Sequence, residues 1–328
     1  MEGNVQSHDP PFTGSHAPGA DGAGERPRWY AHSYNRAELY RLAAGLSRLP
    51  RPTRLALARW IGRRALRFLP VERAVARSSL AVMTGATGPR LDALAAELFA
   101  EFAMLFSDLV AASRQPIERL FAHVGLRAGA EHLDRLDGPV ISLTAHVGNW
   151  DLAGRLLARN SARPTHVVVA EEEMRALESW LRRDGDGIRF VARSRPTVSL
   201  ELLAALRRGE IVALQGDRAL GNRGDVLVPF FGRPAPFPIG PFRLASASGA
   251  PVAPAFCTLG PDRRYTIAML EPLVVKRGDE EEALRAWVAI LESVVRERPT
   301  QWFNFFDIWN PFGVPGHDGQ LRPGAGEE

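Results

Sequence analysis

From residue 139 to residue 298 the chain alternates short apolar or β-branched runs with longer stretches of helical periodicity. Runs at 139–144, 165–170, 188–192, 211–214, 251–258 and 265–275 read as strands. Between and after them, 152–158, 172–183, 198–208, 240–248 and 280–298 repeat apolar residues at helical spacing. Alternation of this kind implies a layered arrangement, because successive parallel strands need a crossover and the crossover helices must bury their apolar stripes on the sheet. The expected fold class is α/β, with a mostly parallel central sheet flanked by helices. Open sheets of this type place ligands beyond the carboxyl ends of their strands, so residues just after each run are the first candidates for chemistry.

Ahead of the alternating region, residues 34–69 read as basic amphipathic helices. Leu39, Leu42, Leu46 and Leu49 recur at helical spacing, Pro50 and Pro52 interrupt, and Arg54, Arg59, Arg63, Arg64 and Arg67 then interleave with Leu55, Leu57, Trp60, Ile61, Leu66 and Phe68. A basic amphipathic helix either lies on an anionic membrane surface or packs on its own domain with its arginines in water. The spacing does not choose between them. Residues 91–112 form another helix, apolar on more than one face, that covers the core. The expected organisation is a loose tail over 1–27, a helical and candidate membrane-associating region over 28–112, an α/β core over 113–312 and a second loose tail over 313–328.

Composition excludes several classes. Hydrophobic residues make up 45% of the 328, enough for a folded core. No apolar h-region opens the chain and no run of about 18 apolar residues occurs, so neither a secretory signal nor a spanning helix is expected. The expected location is peripheral, on the cytoplasmic face of the inner membrane. The one cysteine, Cys257, cannot form an internal disulfide and sits among apolar neighbours, where a thiol is usually packing. The cations are arginines except for Lys276, and they are spread along the chain with no nucleic-acid-binding module. His123, His132 and His166 lack metal-ligand spacing, so no metal site is expected.

The segment with the most chemical content runs from Ile141 through His146, Val147, Gly148, Asn149, Trp150 and Asp151 to Gly154. His146 stands at the carboxyl end of the first strand of the alternating region. Gly148 permits a tight turn, and Asp151 falls in the first turn of the helix that follows, where the dipole favours a carboxylate. The turn can fold Asp151 back onto the imidazole. A histidine so held can take a proton from an attacking hydroxyl or amine, while the carboxylate fixes its tautomer. No Gly-x-Ser-x-Gly elbow occurs, which weighs against a serine hydrolase.

At these residues the chain resembles the lysophospholipid acyltransferase superfamily, most of all the branch of bacterial lipid A lauroyl/myristoyl acyltransferases and phosphatidylinositol mannoside acyltransferases. His146 and Asp151 match its His-x4-Asp motif, with Asn149 and Trp150 inside it. Further matches follow in order: Asp217-Arg218 after a strand, the stretch from Val228 through Phe231, Gly232 and Arg233 to Ala235, and Gln301-Trp302 to Trp309. The resemblance covers residues 138–309. It implies a glycerol-3-phosphate acyltransferase-like fold and an acyltransferase with His146 as general base and Asp151 as its orienter. The donor substrate would be an acyl thioester on acyl carrier protein or coenzyme A, with no bound cofactor. The acceptor would be a hydroxyl or amine of a lipid or glycolipid, met at a membrane surface. Asn149, Trp150, Asp217, Arg218, Arg223, Phe231, Gly232 and Arg233 are the implied substrate-binding residues, and Asp217 and Arg218 either shape the acceptor pocket or support His146. Phe230, Phe231, Phe237 and Phe242 either line an acyl tunnel or pack as ordinary core, and 302–309 packs over the site. Two alternatives are an acyl thioester hydrolase, with water in place of the acceptor, and a non-catalytic lipid-binding protein of the same fold. An amphipathic, arginine-rich start and Asn304 and Asp307 in the terminal aromatic segment depart from the lipid A enzymes, which leaves the acceptor open.

Overall fold

The computed structural model describes residues 43–309 apart from 113, 117, 130, 133–136, 162, 170–186 and 220–223. The expected helix over 172–183, Arg223 and both tails lie outside the described residues. Three helices lead: α1 (Arg51–Ala65), α2 (Pro70–Thr84) and α3 (Gly88–Ala112), with a single turn α4 (Glu118–Phe121). α2 falls between the helices expected from the sequence; Pro70 in the first turn sets its start and Gly85 at φ 66 sets its end. α1 and α3 pack so closely that a β-carbon on Gly62 would stand 2.4 Å from the Phe99 carbonyl oxygen. The arginines of α1 do not all face water: Arg54 is buried against Ser107 and Asp108 of α3, and Arg59 and Arg63 pair with Glu97.

The rest is a layered α/β unit. Its strands and helices run β1 (Val124–Ala128), β2 (Val140–Thr144), α5 (Trp150–Ser161), β3 (Thr165–Val169), β4 (Ile188–Ala192), α6 (Val198–Arg207), β5 (Ile211–Gln215), β6 (Asp225–Phe230), β7 (Arg233–Pro238), α7 (Gly240–Ser248), β8 (Val252–Leu259), β9 (Tyr265–Met269) and α8 (Glu280–Glu297). Seven strands form one sheet in the order β1-β9-β8-β2-β5-β3-β4, and β6 and β7 form a separate ribbon. Every neighbouring pair in the large sheet is parallel except β8 with β9. The α/β class with a mostly parallel sheet therefore holds. β2 lies in the middle and is buried almost throughout, as a strand covered on both faces must be.

One local expectation is corrected, and two elements lie outside those read from the sequence. β1 was not foreseen, because Val-Gly-Leu-Arg-Ala is too short and mixed to show a period. The run 265–275 is a strand only to Met269, and beyond Pro272 only Leu273 bridges back, to Val252. The stretch after residue 224 is an antiparallel hairpin despite Pro229, Pro234, Pro236 and Pro238. A two-stranded ribbon is all edge, so prolines can face outward without breaking a ladder bond. Phe231 and Gly232 form its two-residue turn at φ 49 and 74, the positive pair that such a hairpin needs.

Candidate functional site

β2 and β5 pair in register from Val140 with Ile211 to Thr144 with Gln215, and Gly216 donates from its amide to the Thr144 carbonyl at 2.9 Å. Two residues further along, His146 and Asp217 come level. The imidazole Nδ1 lies 2.8 Å from Asp217 Oδ1, and the His146 amide donates to Asp217 Oδ2 at 3.0 Å. The Trp302 indole N–H donates to the same Oδ2 at 3.0 Å. Asp217 is fully buried, which by itself would raise its pKa. The charge and hydrogen bond of His146, the charge of Arg218 and the His146 amide outweigh that and hold it at about 2. With Asp217 ionised, Nδ1–H of the neutral imidazole donates a hydrogen bond to it, which leaves the lone pair on Nε2.

The loop that carries His146 is fixed from two sides. The terminal segment bridges to it, with the Phe303 amide donating to the His146 carbonyl at 2.8 Å and the Gly148 amide donating to the Gln301 carbonyl at 2.8 Å. The Gln301 side chain grips Leu259 at the end of β8, accepting from its amide at 2.8 Å and donating to its carbonyl at 2.7 Å. On the other side, the Asn149 amide donates to the Cys257 carbonyl at 2.6 Å. Gly148 has φ 58, and a β-carbon there would meet the Cys257 carbonyl oxygen at 2.0 Å, so only glycine fits the turn.

The expectation that Asp151 folds back onto the imidazole is corrected. Its carboxylate accepts from Arg155 Nε at 2.6 Å, one turn along α5. At the second helical position its side chain lies on the helix surface, beside the residue four further on. Asn149 caps α5 through its Oδ1, which accepts the Leu152 amide at 3.0 Å. Trp150 meets the His146 ring edge-on, with centroids 5.0 Å apart.

A cavity of about 470 Å³ opens beside His146. Its walls come from β3 (Val168), α6 (Leu202, Leu203), β5 (Leu214) and α7 (Pro241, Leu244), with Arg193, Arg218 and Arg243 among them. Phe230, Phe237 and Phe242 are fully buried core and, like Phe231, Gly232 and Arg233, are not among the residues that line it. Phe231 instead packs on Phe230 under the Arg296 guanidinium, with its amide held by Glu292, while Gly232 and Arg233 are exposed at the hairpin tip. The expected substrate contacts at this hairpin thus lie away from the cavity. Trp302 is buried behind the histidine rather than over it, and Cys257 is buried, its thiol pKa pushed up by that burial. Among the described residues no group of three His, Cys, Asp or Glu side chains is placed to hold a metal ion, and no helix is long and apolar enough to cross a membrane.

The family model described as bacterial lipid A biosynthesis acyltransferase matches residues 40–310. A phosphatidylinositol mannoside acyltransferase of Mycobacterium tuberculosis (strain CDC 1551 / Oshkosh) is 28% identical over 189 residues, 55% of this chain and 58% of its own length. The lipid A biosynthesis lauroyltransferase of Escherichia coli (strain K12) is 32% identical over 119 residues, 35% of this chain and 39% of its own. The match thus spans less than two thirds of either relative. The solved 1-acyl-sn-glycerophosphate acyltransferase PlsC of Thermotoga maritima overlays 76% of this chain and 98% of that one, with a TM-score of 0.37 at 17% identity.

Proposed function

Because the chain belongs to the bacterial lipid A biosynthesis acyltransferase family, we propose that it transfers a fatty acyl group from a thioester, on acyl carrier protein or coenzyme A, to a hydroxyl or amine of a lipid or glycolipid. His146 Nε2 removes the acceptor's proton as its oxygen or nitrogen attacks the thioester carbonyl. The imidazolium that forms is stabilised by Asp217, and the proton then passes to the departing thiolate. Nearby Arg218 adds positive charge beside the buried carboxylate, and the apolar walls of the cavity suit an alkyl chain. The observation that carries the reading is the buried His146–Asp217 pair, 2.8 Å apart, with His146 lining a largely apolar cavity.

The same reading places the protein at a membrane surface. Trp60 is 53% exposed, Phe68 81% and Val71 70%, and the exposed Arg63, Arg64 and Arg67 are interspersed with them in sequence, from α1 to the start of α2. Exposed aromatics among arginines suit the interface of an anionic bilayer.

The test is to supply labelled acyl-acyl carrier protein and acyl-coenzyme A with a bacterial lipid extract and analyse products by mass spectrometry. An acylated lipid is expected, with His146→Ala about a hundredfold or more slower at unchanged circular dichroism. Free fatty acid as the sole product indicates a hydrolase, and no turnover with either donor overturns the proposal.

A further inference from the structure

A second cavity, about 450 Å³, opens where the start of α1 meets the end of α3 and α4. Arg48, Arg51, Arg54, Arg119 and His123 line it, and Asp108 is its lone carboxylate among the described residues. That carboxylate is fully engaged. It accepts from Arg51 Nη2 at 2.8 Å, Arg54 Nη2 at 2.7 Å and the Tyr265 hydroxyl at 2.9 Å. Four arginines against one aspartate leave an excess of three positive charges around the hollow. The neighbouring Glu118 is drawn away by Arg159.

Two further observations ask for an anion. Arg54 is 5% exposed, yet its Nε has no partner among the described residues. α1 begins at this cavity with no side-chain cap and no acidic residue in its first turn, so the positive end of its dipole is unanswered. The pKa of His123 is lowered, by burial first and then by Arg51, with Asp108 opposing and Arg264 and Arg54 adding to the fall. An ion-pair clamp between α1 and α3 accounts for Arg51, Arg54 and Asp108. It does not account for Arg48, Arg119 or the uncapped helix.

We propose that this cavity binds a phosphate group. Arg48 and Arg119, both exposed, close on its oxygens from the rim, and the α1 terminus and Arg54 meet it from within. Two carriers offer that chemistry: a lipid headgroup, and the phosphates of the thioester donor. The choice of carriers rests on the acyltransferase reading, whereas the binding of phosphate does not. The site also backs onto the catalytic turn, because the Tyr265 hydroxyl that holds Asp108 faces Asn149, the cap of α5.

The test follows the His123 resonance in histidine-labelled full-length protein, assigned with His123→Gln, during titration with inorganic phosphate. Phosphate is expected to raise the His123 pKa, sodium chloride at matched ionic strength is not, and the Arg48→Ala/Arg119→Ala protein should bind phosphate about tenfold or more weakly. Coenzyme A against its dephosphorylated form, and phosphatidylglycerol against phosphatidylcholine vesicles, then separate the carriers. A response to phosphate but to neither carrier leaves the phosphate site standing and counts against the acyltransferase link alone. An equal response to chloride, or an unchanged response in the double variant, overturns the proposal.

Discussion

The Trp302 indole N–H donates to Asp217 Oδ2 at 3.0 Å, while the other oxygen of the same carboxylate faces His146. The tryptophan therefore sets the rotation of the aspartate that sets the rotation of the histidine. Trp302→Phe keeps the ring contact with Phe230 but loses the donor. It is expected to lower kcat about tenfold with little change in KM, and to lose little further rate in an Asp217→Asn background, since the two act on one object. Steady-state kinetics of the single and double variants measure this.

Asp217 and Asp151 should differ sharply under the same substitution. On the proposed mechanism Asp217→Asn removes the charge beside the imidazolium and is expected to cost about a hundredfold or more in kcat. Asp151→Asn loses a part-buried ion pair to Arg155 within one helix and is expected to cost about tenfold at most. The reverse ranking would return Asp151 to the role its spacing first implied.

Gly148→Ala is expected to destabilise the fold by about 2 kcal/mol or more, because the turn is left-handed and the new methyl would overlap the Cys257 carbonyl. Urea unfolding measures it, and the residual folded enzyme should turn over more slowly because Gly148 fixes the backbone two residues from His146.

Stability should also fall in acid. Asp217 is held at about 2, below its ordinary 3.8, so the unfolded chain binds a proton that the native state refuses. The contribution is fully present above about pH 4 and drains away as pH falls toward 2. Comparing urea-unfolding free energies of the wild type and Asp217→Asn across this range should show the wild type losing its advantage as acid is added.

Much of this architecture was legible in the sequence because its strands are apolar runs of the right length. β2, β3, β4, β5 and β8 all announce themselves, and His146 stands where the alternation says a site should be. The pairing of β2 with β5 was not legible. Two strands separated by a helix, β3, β4 and another helix become neighbours through crossover topology, which no local composition encodes. Asp217, which the family resemblance offered as a support for His146, reaches it by that route, and Trp302 reaches it through the bridge from the terminal segment to Val147. Asp151, five residues away in sequence, looked nearer and is turned aside by the helix it begins. The arginine-rich start gave the right periodicity without revealing that Arg54 points inward to Asp108, because burial of a cation depends on a partner fifty-four positions later.

The segment from Gln301 to Phe303 closes the loop around His146 from the far end of the fold. A growing polypeptide thus carries its histidine and aspartate well before it carries the tryptophan that seats them. During synthesis the pair stays unfinished until that stretch has cleared the ribosome, so the pocket around His146 is completed late, with the folding of the whole rather than of any early part.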